Sequence, residues 1–162
     1  MRKRGSIYEY KKEMEQDLMR VYREKLSEYL GNGGLEDVFR AMTQAPASRF
    51  WVSEERTFTV ISAMMKNSRN VRGRATQEIL FSGKHLEGFS QSKKKMYMEI
   101  YGRVKEWRRQ RPHDSLITAV SKVIMQPAPC FYMTQGTIRR TVYKIKRRWY
   151  EERRHKLKHI FM

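Results

Sequence analysis

Met125-Gln126-Pro127-Ala128-Pro129-Cys130-Phe131-Tyr132-Met133-Thr134 decides how this chain reads, because a weaker copy stands upstream at Ala45-Pro46-Ala47-Ser48-Arg49-Phe50-Trp51-Val52-Ser53. With Phe50 set on Phe131 the offset is 81 residues, and Pro46, Ala47, Trp51, Val52 and Ser53 fall on Pro127, Ala128, Tyr132, Met133 and Thr134. Each copy dictates the same local structure. Proline lacks a backbone N–H and biases the residue before it away from the helical region, so the preceding helix stops. An aromatic pair, Phe50-Trp51 or Phe131-Tyr132, follows in an extended segment suited to plugging the space between two helices. Ser53 or Thr134 then starts the next helix as an N-cap, accepting one of its orphan N–H groups. The resulting helix, aromatic turn and helix resemble a helix-turn-helix with a longer connection than the usual three or four residues.

Outward from the two turns, apolar periodicity extends the repeat. Ser6-Ile7-Tyr8-Glu9 has the form of a capping box and predicts a helix over about residues 7 to 30, with Tyr10, Met14, Leu18, Val21, Tyr22, Leu26, Tyr29 and Leu30 on one face. The mixed charges on its other sides read as an ordinary solvated surface. Gly31-Asn32-Gly33-Gly34 ends it. Leu35, Val38, Phe39 and Met42 predict a short helix closed by Pro46, and Phe58, Ile61, Met64 and Met65 line a third, at about 54 to 66.

The downstream copy begins with a helix at about 93 to 110, capped by Ser90 or Ser92, with Tyr97, Ile100, Tyr101, Val104 and Trp107 inward. Met98, Ile100 and Tyr101 echo Met19, Val21 and Tyr22, and the second copy is two residues longer from there to its next helix. Pro112 breaks the chain and Asp114 or Ser115 caps a helix carrying Leu116, Ala119, Val120, Val123 and Ile124. The last helix runs from 135 to 155 or beyond, with Ile138, Val142 and Ile145 toward the core. The expectation is an all-α protein divided into a first helical unit at 1–66, a basic linker segment at 67–92 with a helical turn near 75–81, and a second helical unit at 93–162.

Charge narrows the function. Thirty-five Lys and Arg against 17 Asp and Glu leave +18 over 162 residues. Such an excess calls for a polyanion to neutralise it. Nucleic acid is the expected partner, since no run approaches 18 apolar residues and the basic start Met1-Arg2-Lys3-Arg4-Gly5 leads into a charged helix, not an apolar signal core. No membrane partner is expected. A single cysteine, Cys130, excludes an intramolecular disulfide and fits a reducing, cytoplasmic setting. Its place between Pro129 and Phe131 reads as a small packing residue.

Three basic clusters are the candidate nucleic-acid contacts. Arg69, Arg72 and Arg74 lie in a polar loop without an acid. Arg108, Arg109 and Arg111 end the second long helix. The densest cluster runs along the last helix: Arg139, Arg140, Lys144, Lys146, Arg147, Arg148, Arg153, Arg154, Lys156 and Lys158, with only Glu151 and Glu152 against them. A basic helix after a capped turn is the arrangement of a recognition helix, and Gln135, Arg139, Arg140 and Lys144 stand nearest its start, where side chains first meet base edges. Trp149 and Tyr150 within the run are suited to stacking on unpaired bases or to partner contacts.

Catalysis finds no support. Asp17, Asp37 and Asp114 are scattered, so no two-metal cluster is spelled out. His155 and His159 have a chelating spacing but cationic neighbours. The sequence therefore predicts no enzyme, no metal and no cofactor.

The Gln126-Pro127-Ala128-Pro129-Cys130-Phe131-Tyr132 run, preceded by Met96-Tyr97-Met98-Glu99-Ile100-Tyr101, resembles small proteins of Bacteroides-type bacteria and their mobile elements, which have no assigned activity. The resemblance covers the C-terminal half. It implies a small intracellular accessory of a phage, transposon or retroelement. The upstream copy departs from it, with Ser48 and Arg49 in place of Pro129 and Cys130. The expected function is non-catalytic nucleic-acid binding by a DNA-binding regulator or architectural factor. The alternatives are an accessory subunit of a reverse transcriptase, polymerase or recombinase, and a structural component of a phage particle.

Overall fold

A computed structural model describes the backbone of residues 5–83 and 86–162, and within these ranges the side chains from residue 10 onward. Among the described residues there are seven helices: α1 (Gly5–Tyr29), α2 (Leu35–Met42), α3 (Glu54–Arg69), α4 (Gln77–Leu80), α5 (Gln91–Gln110), α6 (Leu116–Ile124) and α7 (Gln135–Ile160). The all-α expectation holds. The basic start and the side chains of the Ser6 box lie outside the described residues.

The caps are where local chemistry requires them. Ser53 Oγ accepts from the Arg56 N–H at 3.2 Å and Thr134 Oγ1 from the Thr137 N–H at 3.3 Å, opening α3 and α7 alike. Ser90 caps α5 and Ser115 caps α6. Asp114, the other candidate for α6, instead accepts a 2.8 Å bond from the Trp107 indole N–H. Trp107 is therefore held by a polar contact and only half-buried. Gly31 ends α1 with φ at +87°, a conformation that costs a residue without Cβ nothing.

Burial repeats at the expected offsets. Val38, Phe39 and Met42 of α2 are buried, as are Ala119, Val120 and Val123 of α6, each 81 residues on. In the long helices Leu18, Val21 and Tyr22 are matched by Tyr97, Ile100 and Tyr101 at an offset of 79. Both turns sink an alanine and a phenylalanine, Ala47 with Phe50 and Ala128 with Phe131. They differ at the next residue, where Tyr132 takes a left-handed φ of 54° that bulky side chains rarely adopt.

One expected face is rotated. The core side of α3 is Thr57, Val60, Ile61 and Met64, whereas Phe58 and Met65 are only half-buried. Thr57 tolerates full burial because its hydroxyl donates to the Ser53 carbonyl at 2.8 Å, leaving no unsatisfied polar group. The corresponding side of α7 is Ile138, Val142 and Ile145, as predicted.

The compact units differ from the sequential division at 1–66, 67–92 and 93–162. One unit comprises Met1–Ala47 with Pro129–Met162, and the other Ser48–Ala128. In the first, α1 packs on α2 and both pack on α7. Phe39, fully buried, lies against Tyr22 at 6.1 Å and edge-on to Tyr143 at 5.8 Å. In the second, α3 packs on α4, α5 and α6, and α5 packs on α6. The Phe50 N–H donates to the Ile124 carbonyl at 3.0 Å, Arg103 Nη1 donates to the Pro127 carbonyl at 2.8 Å, and Asn67 ties α3 to the carbonyls of Leu80 and Ser82 at 3.0 and 2.9 Å. Each unit thus takes two helices from one sequence repeat and its closing helix from the other. The segment at 67–92 does not stand as a linker: α4 and the Phe81, Phe89 and Tyr97 rings, 6.2 and 5.3 Å apart in succession, belong to the second unit.

Candidate nucleic-acid interface

In the first unit the basic side chains of α7 divide by the face they occupy. Ile138, Val142 and Ile145 define the inward line. At 3.6 residues per turn, Arg140, Lys144, Arg147, Glu151, Arg154 and Lys158 fall along the opposite line, and all are exposed. Five cations and one carboxylate therefore follow each other at intervals of three and four residues over about 27 Å of helix, at 1.5 Å per residue. None of the five is in a salt bridge among the described residues; Arg140 contacts only the Thr137 hydroxyl at 3.5 Å, and Arg154 lies 5.8 Å over the Tyr150 ring.

The flanks of α7 are used within the unit. Gln135 Nε2 donates to the Glu36 carboxylate at 2.7 Å and Arg139 Nη1 to its other oxygen at 3.0 Å. These two contacts, the Gln135 amide first, hold the Glu36 carboxyl below its ordinary pKa. Of the four side chains expected to meet bases at the helix start, Gln135 and Arg139 are thus engaged by α2, while Arg140 and Lys144 face outward. Arg148 pairs with Glu15. Lys146 Nζ sits 5.4 Å over the Tyr22 ring. None of these partners is near in sequence, so the division could not be read from α7 alone.

From residue 146 onward every residue of α7 is exposed. Arg153, Lys156 and Lys158 belong to this exposed part. So do Trp149, Tyr150, Leu157 and Ile160, apolar groups 40 to 72% exposed. Arg23 lies 5.6 Å over Trp149. The rings of His155 and His159 are 4.5 Å apart, and no group of three or more metal-ligating side chains occurs among the described residues.

In the second unit, Arg69 ends α3, and Arg72 and Arg74 follow it, all exposed. Arg108 Nη1 lies 3.9 Å from Met65 Sδ, which brings the C-terminal ends of α3 and α5 together. A shallow cleft of about 340 Å3 opens there, lined by Met65, Lys105, Arg108, Arg109 and Pro112. Lys105 is a residue the sequence reading missed. Its spacing of three and four from Arg108 and Arg109 was the available signal, since such residues share a helix face. Glu106 holds Arg109 through bonds of 2.6 and 3.0 Å, and this pairing lowers the Glu106 pKa to about 2. Arg111 stacks on Trp107, with 4.0 Å from its guanidinium carbon to the ring centroid. Cys130 is half-buried rather than wholly inside its turn.

Compared with family models, curated proteins and solved structures, the chain matches none. No helix among the described residues is long and apolar enough to cross a membrane.

Proposed function

We propose that this protein binds nucleic acid without catalysing a reaction on it, as a DNA-binding regulator or architectural factor of a mobile element acting in the cytoplasm. The observation that carries the reading is the outer line of α7, where Arg140, Lys144, Arg147, Arg154 and Lys158 stand exposed on a helix that continues beyond its own core. Surface cations without acidic partners raise the protein's self-repulsion, and a polyanion that meets them relieves it. Phosphodiester contacts of this kind release counterions, so affinity falls with salt in proportion to the phosphates neutralised. Five such contacts correspond to a slope of about −4.5 in log K against log salt, or a loss of roughly 500-fold between 50 and 200 mM.

The test is filter binding of duplex DNA, single-stranded DNA and structured RNA across that range, with Arg140, Lys144, Arg147, Arg154 and Lys158 changed to Gln. Long polar residues exchange at little cost in helix propensity, so the variant should retain the fold. The expected result is a slope flatter by about 4 to 5 units. A paired control, Arg139→Gln with Arg148→Gln, removes two cations already answered by Glu36 and Glu15 and should change the slope less. Equal slopes for wild type and the five-site variant overturn the reading. A second reading, an accessory subunit of a larger nucleic-acid enzyme, is favoured by the exposed Trp149, Tyr150, Leu157 and Ile160 of α7. Co-purification of an enzyme that Trp149→Ala with Leu157→Ser abolishes would support it.

A further inference from the structure

We propose that the cleft between the C-terminal ends of α3 and α5 is a second phosphodiester-binding site, so that one chain holds two nucleic-acid segments at once. This rests on the nucleic-acid reading of α7 and extends it to the other unit. The cleft wall carries Lys105, Arg108 and Arg109 and no carboxylate, over a floor that includes Met65 and Pro112. Arg109 is answered by Glu106, so the unanswered charge is that of Lys105 and Arg108.

The two unanswered cations already rest against neighbours in the unit: Arg108 is half-buried against Met65, and Lys105 Nζ lies 5.3 Å over the Tyr101 ring. Side chains already ordered lose less freedom on binding. Arg69, also exposed, stands four residues beyond Met65, one turn on along the same side of α3. The cleft is about 340 Å3, open and shallow, which fits a phosphate carried on a chain better than an engulfed small molecule. The cleft and the outer line of α7 belong to different compact units, so neither needs the other to form.

The test captures one duplex through another. Biotinylated duplex DNA on beads is charged with limiting protein, washed at 0.1 M salt, and offered a labelled second duplex. Wild type should retain the second duplex, whereas Lys105→Gln with Arg108→Gln should occupy the beads through α7 but fail to retain it. By the same counterion rule, two lost phosphate contacts weaken the cleft roughly 60-fold at 0.1 M relative to 1 M salt. A gain-of-charge variant, Glu106→Gln, frees Arg109 and should increase capture. Circular dichroism and bead occupancy establish that the variants are folded and bound. Capture by the Lys105/Arg108 variant equal to wild type, or no capture by a wild type that occupies the beads, overturns the second site while leaving the α7 reading intact. A wild type that fails to occupy the beads overturns both.

Discussion

The exchange of closing helices predicts which pieces of the chain fold alone. Residues 48–128 contain all of α3, α4, α5 and α6 and coincide with one compact unit, whereas residues 70–128 lack α3. Removing α3 takes away Val60, Ile61 and Met64, each at 0% exposure, and the Thr57 to Ser53 bond. Full burial of such an apolar side chain contributes about 1.5–3 kcal/mol, so the three together contribute roughly 4.5–9 kcal/mol. That approaches the whole 5–15 kcal/mol stability typical of a domain, before counting the faces of α5 and α6 left bare. Fragment 48–128 should therefore show a helical far-UV spectrum and a cooperative urea transition, and fragment 70–128 neither. Non-cooperative melting of 48–128, or identical curves for the two fragments, would refute the assignment of α3 to this unit.

Other expectations concern single sites. Phe39→Ala, at a fully buried position in the first unit, should cost about 3–5 kcal/mol in urea unfolding; a cost below 1 kcal/mol contradicts its central place. Ser53→Ala and Thr134→Ala should each lower stability by about 1 kcal/mol through loss of the N-cap bond, and an unchanged melting curve argues against the caps. The Glu106 carboxyl should titrate near 2 by side-chain NMR and move up in Arg109→Gln. Its folded value lies below the unfolded one of about 4.3, so its contribution to stability is full above that pH and disappears as pH falls toward 2. A midpoint near 4.3 in the wild type contradicts the pairing.

The helices were legible because their signals are local. Pro46 and Pro127 mark the breaks, Ser53, Ser90, Ser115 and Thr134 the starts, and apolar spacing the inward faces. The pairing of helices was not legible, since the two copies carry the same inward pattern. Thr57, Ile61 and Met64 match Ile138, Val142 and Ile145 position for position, and periodicity alone gives either closing helix the same claim on either pair. The face of α3 was misread because a threonine that satisfies its own hydroxyl packs as an apolar residue does. On α7, the total charge was plain from the sequence, but its division into engaged and unengaged cations depends on Glu15, Tyr22 and Glu36, more than 90 residues upstream.

The exchange also imposes an order on synthesis. By residue 128 the helices that pack on α3, namely α4, α5 and α6, have all been made. The earlier-made α1 and α2 must stay open until α7 emerges, because the side chains that close their core, Ile138, Val142 and Ile145, are translated only after the whole of residues 48–128. Of the two units, the one begun earlier is finished later, and the helix bearing the densest positive charge is the one whose arrival completes it.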